Sequence, residues 1–484
     1  MSVERVLPKT LDYTDVLPLA VESKSRRRTF FPTNGAEFST AGNNIIRIDL
    51  SADALLDTQH SYLRFTMTAT AGTAGLDPAG GHAFISRLRV EQSGTILEDI
   101  QSYNKLMGAI VLPCQASSDY EGVRTLTEGQ RTPFSAVGSS VPDPIATALV
   151  GGAVPVGTAI DGVGSGTNGI AQMAAGDTHD FCIPLNSGLL NCEKLIPLML
   201  MSAPLTIELE LASPAECVAG AAACIPTIQN VRYVANLVEV GNDVGQQLRM
   251  LQEMSGGVLT LTGQTYRHFS GTVTAGTSET NINIPARVKS MKSIFFNMPG
   301  LNAAGNTAAS FANYDVGTGI HSNVDSFQFK IGSVTYPPTP VRCQFGTQSA
   351  AAISTESKVA GETVLELEKA WGNVGSRMGL GSKCNASMFY TIPNIRAIPP
   401  VAGNVLIDGN RQRYAPFGLD MEAFQRVAIE SGVNTADRSL PISLILTHGA
   451  GQGGVNAIAS QLDAYVLADA LFYINSDGSM SVSV

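Results

Sequence analysis

A duplicated strand pattern constrains this chain more than any other feature of its sequence. In the first half, a period-2 alternation of apolar and polar residues recurs at Asn44–Leu50, Ser61–Met67 and Ile85–Leu97. A second run of the same kind opens at residue 256 and includes Asn281–Pro285, Lys292–Phe296 and Val324–Tyr336. Because successive side chains of a strand point to opposite faces, this period predicts strands. Two copies of one β-rich unit predict a protein that builds a surface by repetition.

The length of the chain supports two domains. Its 484 residues exceed what one core holds, and β-sandwiches of about 200–250 residues give a natural division. We predict an N-terminal arm over residues 1–29, a first jelly roll over 30–240, a linker over 241–255 and a second jelly roll over 256–484. The predicted fold class is all-β, with two consecutive eight-stranded jelly rolls, long inter-strand loops and a few short helices.

Helical spacing of apolar residues predicts the short helices. They are expected at residues 100–112, within the linker and at 418–431. The linker helix is predicted to carry Val244, Leu248 and Leu251 on one side. Asp477-Gly478 predicts a hairpin turn between the last two strands.

Composition and charge limit the partners of the chain. Charged residues make up 15%, against roughly 25% in an ordinary domain, which favours a protein that buries much of its surface against other chains. A net charge of −10 argues against nucleic acid as a specific partner, because phosphate binding needs a dominant basic face.

One basic run stands out within the predicted arm. It comprises Lys24, Arg26, Arg27 and Arg28. Residues 1–28 hold six basic and four acidic residues, so this part is positive in an acidic chain. We predict an assembly arm that contacts an anion, a membrane surface or an acidic neighbour. The alternative is a solvated boundary that marks the start of the fold.

Residues 135–176 form an unusually apolar segment. Its charged residues are Asp143 and Asp161, and it contains no aromatic residue. Structureless loops beyond about 12–15 residues usually serve a function or are disordered. We predict that this segment packs against neighbouring subunits.

Motifs that would carry chemistry are sparse. The seven cysteines include no C-x-x-C, and the six histidines never have the spacing of a metal-ligand set. Gly449–Gly454 matches G-x-G-x-x-G, but too little chain follows it to form a dinucleotide site, so it is interpreted as a turn. The sequence therefore predicts no catalytic residue, no metal and no cofactor.

Isolated features have ordinary explanations. Asp177 and Asp180 could serve a glycosidase as a carboxylate pair, but such pairs occur by chance. Trp371 is interpreted as a core or interface anchor. Asn385 begins a glycosylation sequon, which we expect to be unused because the chain lacks an apolar signal-peptide region. Wide cysteine spacing favours folding inside the cell rather than secretion.

With the strands placed, the chain resembles the double jelly-roll major capsid proteins of virophages, polinton-like viruses and related large DNA viruses of eukaryotes. The segments that carry the resemblance are Ser61–Phe65, Phe181–Leu190, Val231–Glu239, Ile284–Phe296 and Asp469–Ile474. Their order along the chain is more specific than any one of them. The resemblance covers about residues 30–484 but is absent from 135–176.

The resemblance implies a structural protein, not an enzyme. It implies homotrimeric, pseudo-hexameric capsomers that tile an icosahedral shell, so the partners would be the chain itself, neighbouring capsomers, and minor capsid, cement and penton proteins. The location would be the virion, and an internal membrane beneath the shell is left open. The alternatives are a secreted β-sandwich carbohydrate-binding protein or glycosidase, and a lectin-like adhesin. One Trp and 6% aromatic residues disfavour sugar stacking.

Overall fold

The computed structural model of the chain describes part of its length. The described residues are 23–70, 74–76, 79–115, 127–128, 172–173, 176–220, 225–274, 276–298, 319–320, 324–343, 361–371, 411–412, 416–422, 432–437, 441–448 and 460–484. The predictions for residues 1–22, for nearly all of 135–176, for Gly449–Gly454 and for Asn385 fall outside these ranges.

The first half of the chain forms two facing antiparallel sheets. Its strands are β1 (Ser23–Phe30), β2 (Glu37–Ser39), β3 (Ile45–Leu50), β4 (Leu55–Thr68), β5 (Ala74–Leu76), β6 (Ile85–Gln92), β7 (Thr95–Gln101), β8 (Gln172–Met173), β9 (Thr178–Ile183), β10 (Ile196–Pro197), β11 (Leu205–Leu211), β12 (Val218–Gly220) and β13 (Thr227–Val240). One sheet has the order β1-β13-β4-β10, with β2 also on β13 and β9 also on β4. The other has the order β3-β11-β6-β7. Strands β5, β8 and β12 form a small separate sheet.

The second half repeats this arrangement. Its strands are β14 (Val258–Val273), β15 (Glu279–Asn283), β16 (Met291–Asn297), β17 (Gly319–Ile320), β18 (Val324–Ile331), β19 (Val334–Arg342), β20 (Arg411–Gln412), β21 (Phe417–Asp420), β22 (Ile442–His448), β23 (Ser460–Asn475) and β24 (Met480–Ser483). The sheets are β14-β23-β16-β21, with β24 on β23, and β15-β22-β18-β19, while β17 pairs with β20.

Strand by strand, the two halves have one topology. In the first half, β13 lies between β1 and β4, while β3 lies in the opposite sheet; in the second half, β23 lies between β14 and β16, while β15 lies in the opposite sheet. This crossing between two sheets is the winding of a jelly roll. The predicted fold class is therefore confirmed: the chain is two jelly rolls in tandem.

The helices are short and lie in the connections. They are α1 (Tyr103–Lys105), α2 (Leu112–Gln115), α3 (Pro214–Cys217), α4 (Asn242–Met254) and α5 (Gly361–Ala370), with a π-helix at Leu106–Val111 between α1 and α2 and 3-10 turns at Gly80–Phe84 and Leu198–Leu200. Helix α4 lies within the segment predicted as the linker. On this helix, Leu251 is 56% exposed. One detail of the prediction is wrong: Phe417–Asp420 is a strand rather than the start of a helix.

The structure corrects the predicted boundary at residue 29. Strand β1 pairs with β13 along its whole length, from Ser23 opposite Val240 to Phe30 opposite Tyr233. The basic run therefore lies on an edge strand of the first sheet, not on an arm that precedes it. Charged side chains are common on edge strands, so this charge is compatible with a strand.

Each jelly roll has an aromatic centre. In the first, Phe65 and Phe84 pack against Phe181, with ring centroids 5.1 and 5.6 Å away. In the second, Phe296 stacks on Phe417 at 4.8 Å and meets Phe327 edge-on at 5.2 Å. Burial of each large apolar side chain contributes about 1.5–3 kcal/mol, so these clusters hold the two sheets of each sandwich together.

The new boundary makes a testable prediction. A chain that starts at Ser23 keeps all of β1 and is the reference for this test. A chain that starts at Thr29 loses the pairs from Ser23 to Arg28 and should lose about 2 kcal/mol or more of unfolding free energy. Equal stability of the two truncated chains would mean that β1 does not pair in solution.

Candidate assembly surfaces

The first jelly roll packs against the second along one edge. Strand β7 ends the sheet β3-β11-β6-β7, and β14 and β24 of the second jelly roll cover it. The apolar cluster of the first jelly roll continues across this joint to Leu261, Tyr266 and Phe472. The edge of one sandwich is thus buried by the next.

A buried carboxylate links three segments at the joint. Glu98 on β7 is 4% exposed and accepts hydrogen bonds from Thr265 Oγ1 at 2.6 Å and from the backbone N–H groups of Gly188 at 2.8 Å and Leu189 at 3.2 Å. Burial raises the pKa of Glu98, and the bonds from Thr265 and the backbone oppose that rise. Glu98 thereby ties the loop at 188–189 to β14 of the second jelly roll.

Two glycines bring the backbones of the two jelly rolls together. A Cβ at Gly263 would lie 2.3 Å from the carbonyl oxygen of Gly188, and a Cβ at Gly188 would lie 2.8 Å from the carbonyl oxygen of Gln264. Neither position accommodates a side chain unless the backbones separate. The joint is therefore set by backbone contact.

An ionic cluster closes another part of the joint. Asp463 on β23 is 1% exposed and lies 2.8 Å from His268 Nε2 and 3.4 Å from Lys105 Nζ of the first jelly roll. Burial by itself raises the pKa of Asp463, but the hydrogen bond from His268 and the charge of Lys105 outweigh it and lower that pKa. Beside it, Tyr465 donates a hydrogen bond to the Ser102 carbonyl at 2.9 Å.

The last hairpin is also held by the first jelly roll. The side-chain amide of Gln92 donates to the Gly478 carbonyl at 3.1 Å, and its oxygen accepts from the Met480 N–H at 2.6 Å. The backbone N–H of Ser202 donates to the same Gly478 carbonyl. These three hydrogen bonds hold the last hairpin against the first jelly roll.

The counterparts of both joint surfaces are exposed elsewhere on the chain. Strand β19 and helix α5 occupy in the second jelly roll the places that β7 and the helices at 103–115 occupy in the first. Here Val334 is 52% and Leu365 53% exposed. Strand β1 is the counterpart of β14, and its residues Ser23–Arg28 are exposed. Among the described residues, the chain therefore presents one free surface of each kind.

The basic run lies on the second of these free surfaces. Arg26 forms an ion pair with Glu239 at 2.6 Å, Arg27 donates to Tyr62 Oη at 3.0 Å, and Arg28 lies over the Phe30 ring at 4.9 Å. Because side chains alternate along a strand, Lys24, Arg26 and Arg28 share one face and Arg27 takes the other. The structure brings the predicted site residues onto one strand but splits them between its faces.

Two other residues considered in the sequence analysis, Asp180 and Trp371, contact neighbouring side chains of the fold. Asp180 accepts hydrogen bonds from Thr66 at 2.5 Å and Arg64 at 3.0 Å, and these bonds, with that of Thr66 the larger cause, lower its pKa. Trp371 stacks on Phe295 with ring centroids 4.5 Å apart. Over the described ranges, no group of three His, Cys, Asp or Glu side chains could hold a metal ion. Within the same ranges, no helix is long and apolar enough to span a bilayer.

Sequence reasoning missed the residues that form the joint. Asp463 did carry a signal, as a single acid in the otherwise apolar run Leu462–Leu467, since a charge in a buried strand requires a partner. Glu98 stands in a similar setting between Leu97 and Ile100, with Asp99 beside it. Gly188 and Gly263 carried no signal that distinguishes them from turn glycines.

The backbone contact predicts a large effect of a single methyl group. Gly263→Ala should destabilise the chain by about 3 kcal/mol or more, because the new Cβ forces apart the joint. Gly245→Ala is the matched control: no atom lies within 4 Å of its Cβ on helix α4, so it should be neutral or stabilising by about 0.5–1 kcal/mol. Urea unfolding measures both. Similar stability of the two variants would contradict the contact.

The ionic cluster predicts a pH dependence. The pKa of Asp463 is lower in the folded chain than in the unfolded chain, where it is about 3.9. The ionised carboxylate therefore stabilises the fold at pH values above about 3.9, and this stabilisation is lost as the pH falls through the folded-state pKa. Asp463→Asn should therefore cost about 3 kcal/mol at pH 7, and the difference from the parent chain should shrink below about pH 4. The exposed Asp53→Asn is the control. If the loss of stability caused by Asp463→Asn were the same at every pH, the charge of Asp463 would not stabilise the fold.

Comparisons with known proteins agree with this architecture. No family model matches the chain, and no curated protein matches it. Among solved structures, the PBCV-1 virus capsid matches at 12% identity, 98% of this chain, 99% of that chain and TM-score 0.53. The Faustovirus major capsid protein matches at 11% identity over 97% of this chain and 92% of that chain, with a TM-score of 0.55. The mavirus major capsid protein matches at 11% identity over 100% of this chain and 96% of that chain, with a TM-score of 0.51. At these identities the shared property is the fold, so the chain has the double jelly-roll fold that these capsid proteins have.

Proposed function

We propose that this chain is the major capsid protein of an icosahedral virus and that it forms homotrimers whose six jelly rolls make a pseudo-hexagonal building block. The observation that carries the proposal is the joint between the two jelly rolls, together with its two free counterparts. The likeness over nearly the full length to three capsid structures supports it. The chain would then act as a structural component of the virion rather than as an enzyme.

The joint is a head-to-tail contact. The first jelly roll contributes β7 and its helices, whereas the second contributes β14 and β24. Such a heterologous contact can be repeated, and it closes into a ring when the rotation per step divides a full turn. A rotation of about 60° per jelly roll closes a ring of six, which needs three chains of two. In that ring β19 and α5 of one chain meet β1 of the next.

The basic run takes its place in this arrangement. Lys24, Arg26, Arg27 and Arg28 lie on β1, so we assign them to the contact between chains or to the surface beside it. An acidic chain of net charge −10 offers acidic surfaces on neighbouring copies, and opposite charges guide the register of an interface. Beyond the trimer, the partners would be neighbouring capsomers, minor capsid or cement proteins and penton proteins.

The carbohydrate alternatives have less support. Asp180 is engaged by Arg64 and Thr66, so it is not a spare acid beside Asp177. The indole of Trp371 faces Phe295, which leaves that ring face unavailable for a sugar.

The free surface predicts the effect of one substitution on assembly. Purified chain should have the mass of three chains by light scattering, and Leu365→Asp should weaken that trimer about tenfold or more, since a buried carboxylate at an interface is unpaired. Ile45→Asp is the control, because Ile45 is 42% exposed on β3, which is not one of the elements of the proposed contact. A monomeric parent chain, or equal effects of the two variants, would contradict the ring. Electron microscopy of the parent should show pseudo-hexagonal particles.

A further inference from the structure

Helix α4 presents an exposed apolar stripe. Met250 is 59%, Leu251 56% and Met254 88% exposed. Together with exposed Gln247 they follow the spacing i, i+3, i+4, i+7, which places them on one face of the helix. We call these three apolar residues the α4 stripe.

An adjacent face of α4 is already committed to the fold. Gln252 is buried and donates a hydrogen bond to the Ile474 carbonyl at 3.0 Å, and Val244 and Leu248, which share its face, are partly buried. The helix therefore cannot rotate its apolar stripe inward. Three large apolar side chains in one exposed patch usually mark an interaction site.

The first described residue of the chain lies beside the start of this helix. Strand β1 begins at Ser23, which lies opposite Val240, the last residue of β13. Gly241, the N-cap of α4, follows Val240 directly. Paired strands are about 5 Å apart, so Ser23, to which residues 1–22 are attached, lies close to the start of the helix.

The lengths of the two segments match. An α-helix rises about 1.5 Å per residue, which places Met250 about 15 Å and Met254 about 21 Å from Val240. An extended chain spans about 3.3 Å per residue, which would place Leu19 about 13 Å and Val16 about 23 Å from Ser23. The large apolar residues at these distances are Val16, Leu17 and Leu19. These distances are close to those of Met250 and Met254, so the three residues can reach the α4 stripe in an extended conformation.

Charge favours the same placement. Between Asp12 and Glu22 the segment carries three acids and no basic residue. Arg249 is exposed on α4 beside Met250. We propose that residues 12–20 of the same chain bind along helix α4, with Val16, Leu17 and Leu19 covering the α4 stripe and an acid next to Arg249. The proposal does not depend on a capsid role.

A photo-crosslinker at residue 17 tests this placement. In the purified full-length chain with Leu17→p-benzoylphenylalanine, the main crosslink should join residue 17 to residues 246–254. Met250→Asp with Met254→Asp should lower its yield about tenfold. Ile45→Asp, a substitution of another exposed apolar residue, should leave the yield unchanged. Crosslinks that avoid α4, or a yield that the double variant does not change, would overturn the proposal.

A second copy of the chain is the main competing occupant. Crosslinking an equal mixture of unlabelled and ¹⁵N-labelled chains separates the two cases by mass. A crosslink within one chain joins two peptides that are both unlabelled or both labelled, and we expect these products. Mixed-label products would assign the α4 stripe to a neighbouring chain and overturn binding within the chain.

Amide exchange gives an independent readout that needs no bulky probe. Deletion of residues 1–20 should make the backbone amides of 246–254 exchange at least about threefold faster, while the amides of β14 and β23 keep their rates. Addition of a peptide of residues 1–22 should restore slow exchange. Unchanged exchange after deletion would show that the segment does not cover the helix.

Discussion

The backbone contact between Gly188 and Gly263 is the constraint on which the arrangement of the two jelly rolls depends. Side chains can change rotamer when two surfaces slide, but two peptide groups in contact leave no such freedom. Glu98 fixes the loop on one side of this contact and Thr265 on the other. The angle between the two sandwiches, and with it the direction in which β19 and β1 face, follows from a contact that contains no side chain.

Much of the fold could be predicted because its signals are local. Alternation of apolar and polar residues reveals β6, β7, β18 and β19, and Asp477-Gly478 lies at the turn between β23 and β24. The boundary at residue 29 was misplaced because an edge strand needs no buried face, so β1 lacks the alternation that marks its neighbours. Gly418–Asp420 was misread because a short buried strand and an apolar helix turn have similar local sequences.

The candidate site was less accessible to sequence reasoning because its contacts are distant along the chain. Lys105 meets Asp463, and Gln92 meets Met480, across more than 350 residues. Nothing local to either partner indicates which residue lies opposite. The basic run was visible as charge, but its division between the two faces of β1 depends on strand pairing. Leu251 follows the partly buried Leu248 by three residues, a spacing that is typical of a buried position. The packing of α4 against the rest of the chain decides which face of the helix turns outward.

The tandem arrangement has an entropic consequence. Bringing separate bodies together costs an estimated 4–15 kcal/mol of translational and rotational freedom for each association. In the proposed ring of six sandwiches, covalent linkage through α4 would make three of the joints intramolecular, so they would form at a high effective concentration as each chain folds. Two associations then complete a ring that would take five from separate sandwiches. Tethering also fixes the alternation of first and second jelly rolls around the ring, so the two kinds of surface can diverge in sequence without producing rings of mixed order.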